Sequence, residues 1–82
     1  MLDIENVTVN GIVIPTERTI NVQIEIPGGL AQYTEAVTVL LARVVQMAAD
    51  NEDRVILRAE FGLVVGQGPA RVVCNAVIGW AL

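Results

Sequence analysis

The feature that most narrows the fold is an unbroken alternation from Thr19 to Ile26, in which Ile20, Val22, Ile24 and Ile26 take every second place and Thr19, Asn21, Gln23 and Glu25 fall between them. Side chains along a strand point to opposite faces with period two, so this run predicts a strand with one dry face and one wet face. Such a strand needs partner strands beside it and a covering layer above it.

The covering layer is found in Leu30 to Ala49, which lacks Gly and Pro and consists mostly of strong helix formers, despite Thr34, Val37, Thr38, Val39, Val44 and Val45. Gln32, Glu35, Arg43, Gln46 and Asp50 form a narrow polar stripe interrupted by Val39, while Leu30, Val37, Leu40, Leu41, Val44 and Ala48 fill the rest. So narrow a stripe predicts a helix buried on more than one side. Asn51 is suited to the left-handed conformation that closes a helix.

Turn signals place the other strands. Asn10-Gly11 between Val7-Thr8-Val9 and Ile12-Val13-Ile14 predicts a type I′ hairpin with Val7, Val9, Ile12 and Ile14 on one face, ended by Pro15. Gly66-Gln67-Gly68-Pro69 predicts a second hairpin between Arg54–Val65 and Ala70–Leu82. With Val65 opposite Ala70, one face pairs Leu63 with Val72, Phe61 with Cys74, Ala59 with Ala76, Leu57 with Ile78 and Val55 with Trp80. The other face pairs Val64 with Arg71, Gly62 with Val73, Glu60 with Asn75, Arg58 with Val77 and Ile56 with Gly79, a mixture of polar and apolar. The expectation is an α+β fold in the order β-β-β-α-β-β, an antiparallel sheet of about five strands with one helix across one face, forming a single domain over residues 1–82.

Composition then bears on association. At 54% hydrophobic and 17% charged the chain has ample apolar surface to drive collapse and is not disordered. Folding an isolated chain of this mass removes about 8,000 Å² from water, which at roughly 60% apolar contributes about 120 kcal/mol; ordering costs about 1.5 kcal/mol per residue, again about 120. The two terms cancel, so such a chain gains by burying more area against copies of itself. One helix also leaves apolar sheet surface uncovered. These arguments predict a homo-oligomer, made by sheet-face or edge-strand contact with cyclic symmetry, with Ile56, Val64, Val73, Val77, Trp80 and Leu82 at the interface.

The charge pattern narrows the partners. Nine acidic residues against five arginines, with no lysine and no histidine, give a net charge of −4 that repels polyanions, and Tyr33, Phe61 and Trp80 are the only aromatics able to stack on bases; no nucleic-acid partner is expected. The acidic start Met1-Leu2-Asp3-Ile4-Glu5 is unlike a signal peptide, and the apolar stretch Ala36–Ala42 is too short to span a bilayer, so a cytoplasmic protein without membrane partners is expected. The lack of lysine beside abundant Ala, Val and Gly fits GC-rich coding and a phage or bacterial accessory protein.

Catalytic templates are scarce. Without histidine or serine there is no imidazole base, no Ser-His or Cys-His pair and no common zinc site, so no metal and no cofactor are expected. Cys74 falls on the core face opposite Phe61, where a thiol is protonated and inert. Pro27-Gly28-Gly29 and Gly66–Pro69 read as turns before they read as anion cradles, Tyr33 reads as core packing, and Asp50, Glu52 and Asp53 read as a solvated corner. The favoured expectation is a non-enzymatic homo-oligomer for binding or assembly. The alternative is a binder that holds an anionic metabolite or nucleotide between subunits through Arg58, Glu60, Arg71 and Asn75, and the third is an enzyme using Glu60 as a carboxylate base.

Overall fold

A computed structural model describes residues 2–13, 17–50 and 54–80. Pro15, Asn51 as the expected helix-closing residue, the acidic Glu52-Asp53 and the interface candidate Leu82 lie outside those residues. The described elements are β1 (Thr8–Val13), β2 (Glu17–Glu25), α1 (Tyr33–Asp50), β3 (Val55–Val64) and β4 (Arg71–Gly79), with single 3-10 turns at Ile4–Asn6 and Gly29–Gln32. The four strands form one antiparallel sheet in the spatial order β1-β2-β4-β3, with α1 across one face.

The class is the expected α+β, but the sheet has four strands, because Asn10-Gly11 does not turn. Both residues sit inside β1, Asn10 opposite Asn21 and Gly11 opposite Ile20. A turn there would leave two strands of three residues, and a hairpin so short is marginal in water. The continuous strand instead makes six rungs with β2 and puts Val9 opposite Val22, whose side chain is in the core. Long-range pairing with the strongest strand overrides the local turn preference of Asn-Gly.

The alternation of β2 behaves as its sequence demands. Ile20, Val22, Ile24 and Ile26 are buried beneath α1, together with Val72, Cys74, Ala76 and Ile78 of β4. The helix meets them with Ala36, Leu40, Val44 and Ala48, spaced by four so that they fall on one stripe. Full burial of each large aliphatic side chain here contributes about 1.5–3 kcal/mol. Cys74 belongs to this layer, and burial pushes its thiol pKa upward.

The helix starts on the Pro27-Gly28-Gly29 turn. Gly29 has φ +78°, a left-handed backbone that disfavours other residues, and the Gly28 amide donates to Gln32 Oε1 at 2.7 Å. At the other end the Arg54 amide donates to the Ala48 carbonyl, closing the last turn.

The second hairpin keeps the expected register from Val64–Arg71 to Arg58–Val77, then departs from it. One extra residue, Leu57, stands between Ile56 and Arg58, so that Ile56 pairs with Ile78 and Val55 with Gly79. This β-bulge turns the strand over by one position. Ile56 therefore packs beneath the helix rather than on the open face, where the unbulged register had placed it as an interface residue. Trp80 falls past the last rung and lies against Arg54, whose guanidinium carbon is 4.1 Å from the ring centroid.

Candidate functional site

Outside the core lie the sheet face opposite α1, the outer edge of β3 with the adjoining flank of the helix, and the edge of β1 on the other side of the sheet. Period two puts Thr19, Asn21, Gln23 and Glu25 of β2, Arg71, Val73, Asn75 and Val77 of β4, and Arg58, Glu60, Gly62 and Val64 of β3 on the open face.

The centre of that face is a polar network. Gln23 Nε2 donates to Asn21 Oδ1 at 2.8 Å, and Asn21 Nδ2 donates to Asn75 Oδ1 at 2.8 Å. Glu60 occupies the rung beside Asn75, and Arg58 Nε lies 3.2 Å from Glu60 Oε1. Three of the four residues proposed from sequence as a ligand site, Arg58, Glu60 and Asn75, are thus neighbours. Arg71 is not among them. It stands four residues along β4 from Asn75, about 13 Å away at strand spacing, on a rung with Glu25 and Val64.

Asn21 and Gln23 are members of this network that the site expectation lacked. The alternation places both on the wet face, but their approach to Asn75 depends on β2 lying beside β4, a pairing of segments 54 residues apart. The network is also open to solvent: the side chains of Arg58 and Glu60 are 69% and 66% exposed. An ion pair so exposed adds little stability.

Arg71 instead borders a recess of about 520 Å³ at the end of the sheet, shared with Asn6, Thr8, Gln23 and Glu25 over an apolar floor that includes Leu2 and Ile24. Glu60 lines neither this recess nor the groove of about 330 Å³ between α1 and β3.

The large apolar side chains left in water gather away from the middle of the open face. Val73 and Val77 are only partly exposed and alternate with Asn75. By contrast Val55, Leu57, Leu63, Val64 and Val65 are exposed on or just beyond β3. Leu41 and Val45 are exposed on the helix, and Val45 shares the groove with Val55 and Ile56, which places this flank over β3. Leu30 and Trp80 aside, the exposed large apolar side chains thus lie along β3 and the helix flank above it.

That edge has an unusual profile. β3 is ten residues long, pairs with β4 on one side, and among the described residues has no strand on the other. Edge strands are ordinarily short, or carry Lys or Pro, because an open ladder templates pairing with another chain. This one contains neither residue; its bulge, at one end, leaves Arg58 to Val64 in regular pairing with β4.

Among the described residues no helix is long and apolar enough to cross a membrane, and no cluster of three or more His, Cys, Asp or Glu side chains is placed to hold a metal ion. Comparison with protein-family models, with curated proteins and with solved structures finds no match to the chain.

Proposed function

We propose that the protein is a non-enzymatic homo-oligomer for binding or assembly, joined through the β3 edge and the flank of α1 above it. The observation that carries this reading is the coincidence of an open ten-residue ladder with exposed Leu57, Leu63, Val64 and Val65 and with Leu41 and Val45 alongside. Apolar side chains gathered at an open edge mark a surface that gains free energy when another molecule covers it.

The shape of the protomer supports the same reading. Its Cα radius of gyration is 12.9 Å, and its accessible surface is 5230 Å². A compact chain of this length has a radius near 11.7 Å and a surface near 4,800 Å². The protomer is a slab that leaves more surface in water than its size requires.

Light scattering coupled to size exclusion, across a dilution series, tests the proposal. The expected mass at micromolar concentration is a whole multiple of 8.8 kDa, falling toward the protomer on dilution. A monomer at every concentration would overturn it.

A second reading, a small anionic ligand, draws on the recess beside Arg71. Arg71 lines it with the neutral polar side chains of Asn6, Thr8 and Gln23, groups suited to a carboxylate or phosphate, and with Glu25, whose charge opposes an anion. Thermal-shift titration with such anions, repeated on Arg71→Ala, tests it: a shift in the parent that vanishes in the variant supports the recess, and no shift, or one that survives, removes it.

A further inference from the structure

We infer that the occupant of the β3 edge is the β3 of a second copy, paired antiparallel about a twofold axis through Ala59, so that Arg58 of each copy faces Glu60 of the other. The inference rests on the homo-oligomer reading and adds to it a subunit number, a symmetry and a register.

The register follows by elimination. Residues directly opposite in an antiparallel pair share a face, so two identical strands related by a twofold axis must cross at a residue and not between residues. Crossing at Arg58 sets arginine against arginine, and crossing at Glu60 sets glutamate against glutamate; like charges directly opposite are unfavourable. Crossing at Phe61 or Gly62 leaves both charges opposite apolar residues or glycine, and moves the axis toward one end of the strand.

Crossing at Ala59 makes two reciprocal Arg58–Glu60 rungs on the open face. On the helix side it sets small Ala59 against itself, with Leu57, displaced by the bulge, outside the regular pairs. Within Val55–Val64 this register spans as many residues as the disfavoured Glu60 crossing and more than the crossings at Arg58, Phe61 or Gly62.

The area is adequate. A ten-residue strand is about 34 Å long. The protomer measures 21 and 18 Å in its two short directions, so an edge-on contact covers roughly 600–700 Å² on each copy. The total of about 1,300 Å² lies within the range of stable specific interfaces. The product is a continuous eight-stranded sheet with both helices on one side.

Cysteine cross-linking reads the register directly. With Ala59 on the axis, the Cα atoms of residue 58 and residue 60 of the other copy are about 5 Å apart, within disulfide reach, whereas 58 to 58 and 60 to 60 are each about 8 Å apart and out of reach. Both positions are solvent-exposed, so the substitutions leave the core intact, and the native Cys74 is fully buried and does not compete. Under mild oxidation, an equimolar mixture of Arg58→Cys and Glu60→Cys chains is expected to give at least fivefold more disulfide-linked dimer than either chain alone. Equal cross-linking by Arg58→Cys alone, or no cross-link in a mixture that light scattering shows to be dimeric, overturns the register and leaves the homo-oligomer standing.

A monomer overturns both, and leaves the edge to a strand from another protein. Charge exchange supplies an independent measurement. Arg58→Glu or Glu60→Arg alone places like charges at both rungs and is expected to raise the dimer Kd by about tenfold, while the double exchange restores it to within about twofold. Equal loss in the single and double variants overturns the pairing.

Discussion

Replacing Leu57 with Glu separates the stability of the protomer from the stability of the assembly. The side chain is 50% exposed, so the protomer already gains about half of the roughly 2 kcal/mol that full burial of a leucine contributes. Losing that half costs about 1 kcal/mol and lowers the Tm of a domain this small by about 4–8 °C. The other half is gained only when the edge is covered. Because a twofold interface uses the same residue on both copies, its loss counts twice, about 2 kcal/mol per dimer, or roughly a thirtyfold rise in Kd.

A carboxylate confined at a covered edge adds an unpaired charge to this, so thirtyfold is a lower bound. Sedimentation equilibrium over a hundredfold concentration range measures Kd, and circular dichroism establishes that the variant is folded. Gln67→Glu, which adds the same charge in the exposed hairpin loop, serves as the control and leaves Kd within about threefold. A folded Leu57→Glu chain with an unaltered Kd would refute the assignment of the edge as the interface.

Three further outcomes test the fold beneath it. Leu40 is fully buried at the centre of the α1 stripe, so Leu40→Ala is expected to cost about 3–5 kcal/mol by denaturant unfolding, enough to leave an isolated protomer largely unfolded. Gly29→Ala meets no neighbouring atom within 4 Å, so its cost is conformational, about 1 kcal/mol, and is seen as a drop in Tm without loss of helix signal. Cys74 has a pKa raised by burial, so above its ordinary value of 9.0 the unfolded chain releases a proton that the folded chain retains. Its contribution is fully present below pH 9.0 and is lost as pH rises, at up to about 1.4 kcal/mol per pH unit; chemical denaturation between pH 8 and pH 10.5 should show the decline, and Cys74→Ala should remove that part of it.

The open face and the β3 edge differ in how each relates to the core. The open face carries a polar network whose side chains already satisfy one another, Gln23 to Asn21 to Asn75 and Arg58 to Glu60, so covering it offers no large gain. The β3 edge carries exposed aliphatic side chains and backbone groups without a strand partner, so covering it removes apolar area from water and completes a ladder at once. The helix belongs with the edge. Its buried residues form one stripe, and Leu41 and Val45 lie exposed on the flank that a second copy would approach.

Much of the fold was legible along the chain because its signals are periodic and local. The alternation of Ile20, Val22, Ile24 and Ile26 determined the dry face of β2 and the Gly66–Pro69 loop determined the rungs from Val64–Arg71 to Arg58–Val77, whereas the helix, expected to be buried on more than one side, is buried along the single stripe Ala36, Leu40, Val44 and Ala48 and leaves Leu41 exposed. What depended on distant neighbours was not legible. Asn10-Gly11 reads as a turn until β2 is there to pair with the whole of Thr8–Val13, and Leu57 reads as core until the strand must bend near its start and sends Ile56 inward in its place. The candidate site divided in the same way: Glu60 opposite Asn75 followed from one hairpin, whereas the approach of Asn21 to Asn75, the separation of Arg71, and the position of β3 at the outside of the sheet came from the strand order β1-β2-β4-β3. Periodicity is a property of each segment by itself, but which strand lies at an edge is decided by the free energy of packing all of them together, and that is a property of the folded chain alone.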